Sequence, residues 1–248
     1  MVREPRPATA RDRLIVALDV GERDAALRLV EGLRGHVGAF KVGLELVNAV
    51  GAGIWDDLRA TGADRIFYDC KLHDIPNTVE AASRAIRRRG LWMMNVHAAG
   101  GIRMVGAARH GLEAGGREAL DDRAILLGVT LLTSLASEEL ASELAAALPR
   151  ADYVRAMARL TQRAGGDGVV ASALEAAAVR EACGDGFLIV TPGIRPAGSD
   201  AVDQRRVVTP AEAVARGADY LVVGRPITRA PSPRDAADRV VEAIASAL

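Results

Sequence analysis

The sequence contains few aromatic residues and no long uninterrupted apolar run. Phe, Trp and Tyr make up only 3% of the 248 residues, although 50% of the residues are hydrophobic. A core of Ala, Val, Leu and Ile suits packed strands and helices, and this apolar content excludes a disordered chain. No apolar run reaches the roughly 18 residues of a membrane span, and the polar start MVREPRPATARDR lacks the apolar stretch of a signal peptide. We therefore expect a cytoplasmic protein with no membrane partner.

Neither sign of charge predominates, and cysteine is rare. Lys plus Arg and Asp plus Glu number 32 each. No overall field therefore attracts nucleic acid, and any anion has to be bound locally. The run Arg87-Arg88-Arg89 is expected to be the solvated end of a helix rather than a nucleic-acid patch. Cys70 and Cys183 are too few for a disulfide framework or a cysteine zinc site, which favours a reducing compartment.

Lysine is the scarcest charged residue. Lys41 and Lys71 are the only two lysines, and the other 30 basic residues are arginines. Arginine replaces lysine readily on a solvated surface, but not where a compact ammonium group has to donate a proton. The two lysines are therefore candidate functional residues, and the alternative is that they remain by chance.

Short apolar runs alternate with amphipathic helical patterns along the chain. The eight runs are near-continuously apolar, as expected for strands covered on both faces, and they comprise residues 14–19, 39–43, 65–71, 92–98, 124–132, 168–172, 187–193 and 220–226. The helical patterns include residues 24–33, 141–165 and 234–248. Strict alternation predicts a parallel sheet, and eight repeats predict a (β/α)8 TIM barrel.

The barrel is expected to form a single catalytic domain from residues 13–248. Residues 1–12, which contain two prolines, are expected to be a flexible N-terminal extension. The alternative fold is a doubly wound open sheet, which usually carries a G-x-G-x-x-G turn after its first strand. Here that strand ends in Asp19-Val20-Gly21-Glu22, so the barrel is preferred.

Polar residues cluster at the carboxyl ends of the predicted strands, where barrels of this type carry their active sites. They are Asp19, Lys41, Asp69, Lys71, Asp74, His97, Thr133, Ser134, Arg195 and Arg225. Both lysines belong to this set. His97 is expected to orient the end of the fourth strand rather than to act as an acid or base.

The densest group of polar residues follows the third strand, over residues 69–78. Because side chains alternate along a strand, Asp69 and Lys71 are expected to face inward, and Cys70 outward into the packing. The carboxylates of Asp69 and Asp74 favour the charged form of Lys71, which suits a fixed cation or proton donor better than an amine nucleophile. The alternative is a structural ion-pair network that closes the barrel mouth.

A second group follows the seventh and eighth strands, over residues 191–198, 204–206 and 223–226. These two loops form the usual phosphate site of such barrels, where glycines expose backbone N–H groups and an Arg fork matches phosphate oxygens. Residues 194–209 are polar and punctuated by Pro and Gly, which predicts a mobile lid. The alternative for this stretch is an ordinary surface loop.

With these motifs the sequence resembles the orotidine 5′-phosphate decarboxylase family over essentially the whole chain after the first dozen residues. The matching segments are residues 16–19, 41–43, 69–78, 95–101, 132–134, 191–196, 203–206 and 223–226. The unbroken run D-x-K-x-x-D-I-P-N-T from Asp69 to Thr78 is highly specific, whereas A-L-D or V-G-R-P alone is weak. No motif position departs from the family pattern.

The resemblance implies decarboxylation of orotidine 5′-phosphate to uridine 5′-phosphate, without cofactor or metal, by a homodimeric barrel. It assigns protonation of C6 to Lys71, and it places Asp69 and Asp74 beside the substrate carboxylate. Lys41 completes the charge array and, with Asp19, holds ribose hydroxyls. The other implied substrate contacts are Thr133 and Ser134 to the pyrimidine, Gln204, Arg195, Gly224 and Arg225 to the phosphate, and Pro192, Ile75 and Thr78.

The resemblance also implies that Asp74, Ile75 and Thr78 reach the neighbouring subunit's site. The local sequence agrees, since Leu72 and His73 are expected to have left the strand and Pro76 disfavours helical geometry at the residue before it. The chain there is therefore directed outward from the barrel mouth.

Elementary chemistry fits the implied activity. Loss of carbon dioxide from C6 leaves a poorly delocalised carbanion, which a fixed positive charge stabilises. Two alternatives are a related magnesium-dependent barrel that acts on sugar phosphates and a non-catalytic barrel that senses a nucleotide. Residues 75–78 and the loop of Gln204 argue against the first alternative, and the intact Lys71 array argues against the second.

Overall fold

The computed structural model describes residues 6–116, 123–196 and 208–248, and its eight strands form a closed parallel barrel in sequential order. The strands are β1 (Leu14–Ala17), β2 (Ala39–Gly43), β3 (Ile66–Leu72), β4 (Met93–His97), β5 (Ile125–Val129), β6 (Gly168–Val170), β7 (Leu188–Thr191) and β8 (Tyr220–Val223). The predicted (β/α)8 barrel is confirmed, and the open-sheet alternative is wrong. The expectation that Leu72 has left the third strand is also wrong, because Leu72 pairs with Val96.

Helices surround the barrel. Those in the described ranges are α1 (Arg23–Leu33), α2 (Leu44–Val50), α3 (Ile54–Ala60), α4 (Pro76–Arg88), α5 (Gly101–Ala114), α6 (Ser137–Ser142), α7 (Arg150–Arg163), α8 (Ala173–Cys183), α9 (Pro210–Ala215), α10 (Arg225–Thr228) and α11 (Pro233–Ala245). The pattern predicted over residues 141–165 is divided between α6 and α7. Pro149 separates them as the N-cap of α7, because proline disfavours helical geometry at the residue before it.

Strand residues alternate between the barrel interior and the surrounding helices. Ile15, Phe67 and Tyr220 pack inside the barrel, and the Tyr220 ring meets that of Trp92 edge to face at 5.5 Å. Cys70 packs outward in a cluster that draws residues from α4 and α5, as its position in β3 predicts. The described interior of the barrel is therefore filled by side chains, as is usual for a barrel of this kind.

Two aspartates, the buried Asp219 and the partly buried Asp167, join neighbouring strands at the amino-terminal end of the barrel. Asp219 precedes β8, and its Oδ2 accepts from the Ile189 N–H of β7 (2.9 Å) and from Arg180 Nη2 of α8 (2.8 Å). Asp167 precedes β6 and accepts from the Leu126 N–H of β5 (2.8 Å) while pairing with Arg109 of α5. Each carboxylate thus ties two strands to one helix.

The described part of the predicted N-terminal extension lies against this end of the barrel. Arg6 Nε pairs with Asp219 Oδ1 at 3.2 Å, and Pro7 is buried. Arg11–Arg13 form a short 3₁₀ turn that leads into β1.

The run Arg87-Arg88-Arg89 at the end of α4 is only partly exposed. Arg87 is only 7% exposed, so the expectation of a wholly solvated helix end is wrong at this residue, whereas Arg88 and Arg89 are exposed. Within the described ranges, no helix combines the length and the apolar character needed to cross a bilayer.

Candidate active site

A cavity of about 250 Å³ opens at the carboxyl ends of the strands. Its lining comprises Ala17, Asp19, Lys41, Phe67, Asp69, Lys71, Thr133, Val170, Pro192, Arg195, Val222, Gly224 and Arg225. Both lysines of the chain therefore lie in one cavity, together with two carboxylates and two arginines. The parallel barrel explains this convergence, since it brings the carboxyl ends of distant segments to one face.

Lys41 lies between two carboxylates at the base of this charge array. Its Nζ is 2.9 Å from Asp19 Oδ1 and 3.3 Å from Asp69 Oδ2, and the residue is only 8% exposed. Burial acts to lower the pKa of Lys41, but the charges of Asp69 and Asp19 outweigh burial and raise the pKa above its ordinary value. Lys41 is therefore a permanent cation at neutral pH.

Asp69 joins the two lysines. Its Oδ1 accepts from Lys71 Nζ and from Asn95 Nδ2, each at 2.7 Å, while its Oδ2 faces Lys41. Burial acts to raise the pKa of Asp69, but the Lys41 and Lys71 cations and the hydrogen bonds hold it below its ordinary value. Asp69 is therefore an anion that fixes the position of the Lys71 ammonium.

Lys71 reaches the cavity from an irregular end of β3. Its φ is +48°, in the left-handed region that residues with a Cβ seldom adopt. The side chain is 32% exposed, so it is the more accessible of the two lysines. The ammonium thus rests on Asp69 with part of its surface turned to the open cavity.

Asp74 does not join this array within the described chain. It is exposed, and its Oδ1 accepts from the N–H of Ile75 (2.6 Å). Ile75 is 66% exposed, and Thr78 is exposed in the first turn of α4. The sequence predicts that both Asp69 and Asp74 lie beside Lys71, but of these two carboxylates the described fold of one chain brings only Asp69 there.

Asn95 belongs to the site, although the sequence motifs alone assign it no role of its own. It is fully buried in β4, its Oδ1 accepts from the Lys71 N–H (2.7 Å), and its Nδ2 donates to Asp69. A polar amide in the apolar run WMMNVHA is the signal that could have identified it, because a buried amide requires partners.

The opposite side of the cavity is cationic and rich in backbone groups. Arg195 is buried and donates from Nη1 to the Ile194 carbonyl (3.2 Å), and Arg225 begins α10 directly after Gly224. The Arg195 N–H also donates to the Val208 carbonyl (3.0 Å). This contact fastens the two described ends of the stretch that contains residues 197–207.

The chain is similar to known proteins over nearly its full length. Residues 12–240 match the model of the orotidine 5′-phosphate decarboxylase / HUMPS family. The chain belongs to this family. An orotidine 5′-phosphate decarboxylase from Heliobacterium modesticaldum is 46% identical over 96% of this chain and 98% of its own length. One from Moorella thermoacetica is 48% identical over 95% of this chain and 93% of its own length.

A comparison with a solved structure shows that the fold of this chain is also similar to that of a relative. The crystal structure of orotidine 5′-phosphate decarboxylase from Lactobacillus acidophilus superposes with a TM-score of 0.84 at 37% identity, covering 97% of this chain and 99% of that chain.

Most residues that the family resemblance implied meet at the cavity. Those lining it are Asp19, Lys41, Asp69, Lys71, Thr133, Pro192, Arg195, Gly224 and Arg225. Those outside the lining are Asp74, Ile75, Thr78 and Ser134. Gln204 lies outside the described residues.

His97 lies at the edge of the site. It is half-buried at the end of β4, and its ring is 5.4 Å from that of His73. Burial lowers the pKa of His97, with further lowering from His73 and Lys71.

The described residues contain no group of three or more His, Cys, Asp or Glu side chains arranged to hold a metal ion.

Proposed function

We propose that this protein decarboxylates orotidine 5′-phosphate to uridine 5′-phosphate, using its own side chains alone. The observation that carries the proposal is the Lys71 ammonium, held 2.7 Å from Asp69 in a cavity that also presents Arg195 and Arg225. A fixed cation at one side suits the carbanion, and arginines at the other suit the phosphate. The proteins of similar sequence carry the name of this activity.

In the proposed reaction, the bond between C6 and the substrate carboxylate breaks and its electron pair stays on C6. Carbon dioxide leaves, and Lys71 Nζ transfers a proton to C6 to form the new C–H bond. The resulting neutral amine regains its proton from solvent. The barrier falls because the ammonium is already in place as negative charge develops, so little reorganisation accompanies the step.

The remaining charges of the array orient the substrate. Lys41 stays charged because of its raised pKa, and with Asp19 it supplies a donor and an acceptor for ribose hydroxyls. Asp69 stays ionised beside the departing carboxylate and keeps the Lys71 ammonium directed at C6. Thr133 and Ser134 contact the pyrimidine in this proposal.

Binding of the remote phosphate lowers the barrier at C6. In this proposal Arg195, Arg225, the Gly224 backbone and Gln204 hold the phosphate. The lid that the sequence predicts over residues 194–209, most of which lies outside the described residues, excludes water from the array. Slow uncatalysed reactions require up to about 23 kcal/mol of transition-state stabilisation, more than any one residue supplies, so distant contacts have to contribute.

The proposed active form is a homodimer that shares its sites. Asp74, Ile75 and Thr78 project from the start of α4 outside their own cavity, and Ile75 exposes 66% of its surface there. In a two-fold dimer each chain would supply these three residues to its partner's cavity.

The free thiols of Cys70 and Cys183 suit the cytoplasm, which we propose as the compartment.

Mixing two inactive variants tests the shared site. Lys71→Ala and Asp74→Ala should each abolish turnover alone, because each removes one member of every site. Heterodimers place both changes in one site and leave the other intact, so co-refolding equal amounts should restore about a quarter of wild-type activity. Heterodimers that form but show no activity would assign Asp74 to its own chain's cavity.

A direct assay tests the activity itself. Purified protein is incubated with orotidine 5′-phosphate, and the loss of substrate absorbance is followed before and after exhaustive dialysis against a chelator. We expect turnover that the chelator leaves unchanged. Activity that disappears with chelation and returns with magnesium would favour the related sugar-phosphate barrels. Binding without turnover would favour a nucleotide sensor.

A further inference from the structure

The hydrogen-bonded ladder between β3 and β4 is interrupted at the active site. Tyr68 pairs with Met94 and Leu72 pairs with Val96, so three residues of β3 lie opposite the single residue Asn95. The three residues are Asp69, Cys70 and Lys71. A bulge of this kind redirects side chains, and it leaves backbone groups without their ladder partners.

The side chain of Asn95 fills the interruption. Its Oδ1 accepts from the backbone N–H of Lys71 and its Nδ2 donates to Asp69 Oδ1, both at 2.7 Å. The orientation of the amide follows from its partners, because a backbone N–H only donates and a carboxylate only accepts. The backbone carbonyl of Asn95 also accepts from Cys70 Sγ at 3.2 Å. All three bulged residues are therefore bonded to Asn95.

These contacts hold Lys71 at both ends. The hydrogen bond to the N–H fixes a backbone whose φ of +48° is disfavoured for lysine. The hydrogen bond to Asp69 fixes the oxygen on which the Lys71 ammonium rests. Asn95 has no exposed surface and does not line the cavity, so it acts on substrate only through these two neighbours.

We infer that Asn95 is a positioning residue, which holds the β3 bulge so that the Lys71 ammonium lies where C6 of the substrate is protonated. This inference rests on the proposed decarboxylation. A neutral amide suits the role, because it joins a donor and a carboxylate without adding charge to the array. Asn95 should therefore govern kcat, while the ribose and phosphate contacts leave KM nearly unchanged.

Truncation gives the first test. Asn95→Ala should lower kcat about 100-fold with little change in KM, since misplacement of a reacting group by about 1 Å has that effect. The matched control is Asn48→Ala on the exposed face of α2, which should leave both constants unchanged. An unchanged kcat, with or without a higher KM, would overturn the inference.

An isosteric variant gives a test on folded protein. Asn95→Asp places a second carboxylate against Asp69. The cations that face this pair of carboxylates are Lys71 and Lys41. His97 lies further along β4, and the apolar Leu127 lies opposite position 95 on β5. When the two carboxyl groups share one proton, the protonated Asp at position 95 donates a hydrogen bond to Asp69 as the amide did. Because a fall in pH favours this shared proton, the deficit in the kcat of Asn95→Asp relative to wild type should shrink reversibly as pH falls. A deficit that is constant with pH would overturn the inference.

Amide exchange separates this inference from the proposed activity. The backbone N–H of Lys71 should exchange slowly in wild type and rapidly in Asn95→Ala, whatever the substrate is. If wild type shows this protection but no decarboxylation, the proposed function fails and the positioning contact stands. If the Lys71 N–H exchanges equally fast in both proteins, the contact is absent and the inference fails.

Discussion

Asp219, at the amino-terminal end of the barrel, should contribute several times more to the free energy of unfolding than the exposed Asp185, which pairs with the same arginine. Its side chain is only 3% exposed, accepts hydrogen bonds from the Ile189 N–H and from Arg180, and forms an ion pair with Arg6. Removal of one partner from a buried pair costs about 3–5 kcal/mol, because it leaves the other charge unpaired. Arg180 keeps bonds to the carbonyls of Phe187 and Gly217, which places the expected loss near the lower limit.

We therefore expect Asp219→Ala to lower the free energy of unfolding by about 3 kcal/mol. In a chain of this size that corresponds to a fall in Tm of about 6–12 °C. The control is Asp185→Ala, which removes a carboxylate 3.7 Å from the same Arg6 but 91% exposed. An exposed pair contributes about 0–1 kcal/mol, so Tm should fall by no more than a few degrees.

The assays are urea unfolding followed by circular dichroism and turnover at 25 °C. Turnover of the folded Asp219→Ala protein should equal wild type, because Asp219 lies at the end of the barrel opposite the cavity. Equal losses of stability in the two variants would refute the reasoning, since burial would then not set the cost. A loss of turnover in folded Asp219→Ala would refute the separation between the two ends of the barrel.

Three further predictions concern residues that line the cavity. Lys71→Arg should lower kcat by about 10³-fold although the charge is kept, because guanidinium is a poor proton donor, and steady-state kinetics that match wild type would contradict the role. Arg225→Ala should lower kcat/KM about 10- to 100-fold, mainly through KM, as loss of the phosphate contact proposed for Arg225 requires. The depressed pKa of Asp69 contributes stability above about pH 4 that is lost as pH falls through its lower folded-state pKa. The difference in unfolding free energy between wild type and Asp69→Asn should therefore shrink in acid, and a constant difference would contradict it.

The sequence predicted the barrel because its signals are local. Each strand is a short apolar run, and the covering on both faces makes the run continuous. The polar ends of those runs likewise identified Lys41, Asp69, Lys71 and Arg195, because parallel strands bring their carboxyl ends to one face.

What the sequence could not predict depends on contacts between distant segments. The β3 bulge and the role of Asn95 follow from the register between two strands, which no single run encodes. Burial of Arg87 depends on how α4 packs, and helical spacing alone does not distinguish it from Arg88. The exposed position of Asp74 follows from where α4 begins, although spacing alone places Asp74 close to Lys71.

The confinement of both lysines to one cavity makes the active site selectively visible to spectroscopy. Protein produced with ¹⁵N-lysine carries label at Lys41 and Lys71 only, so its spectrum contains no signals from surface lysines. Reagents that modify lysine amines likewise find both of their lysine targets within the cavity, where bound substrate would shield them if the proposed function holds. Protection from such a reagent therefore measures occupancy of the cavity directly.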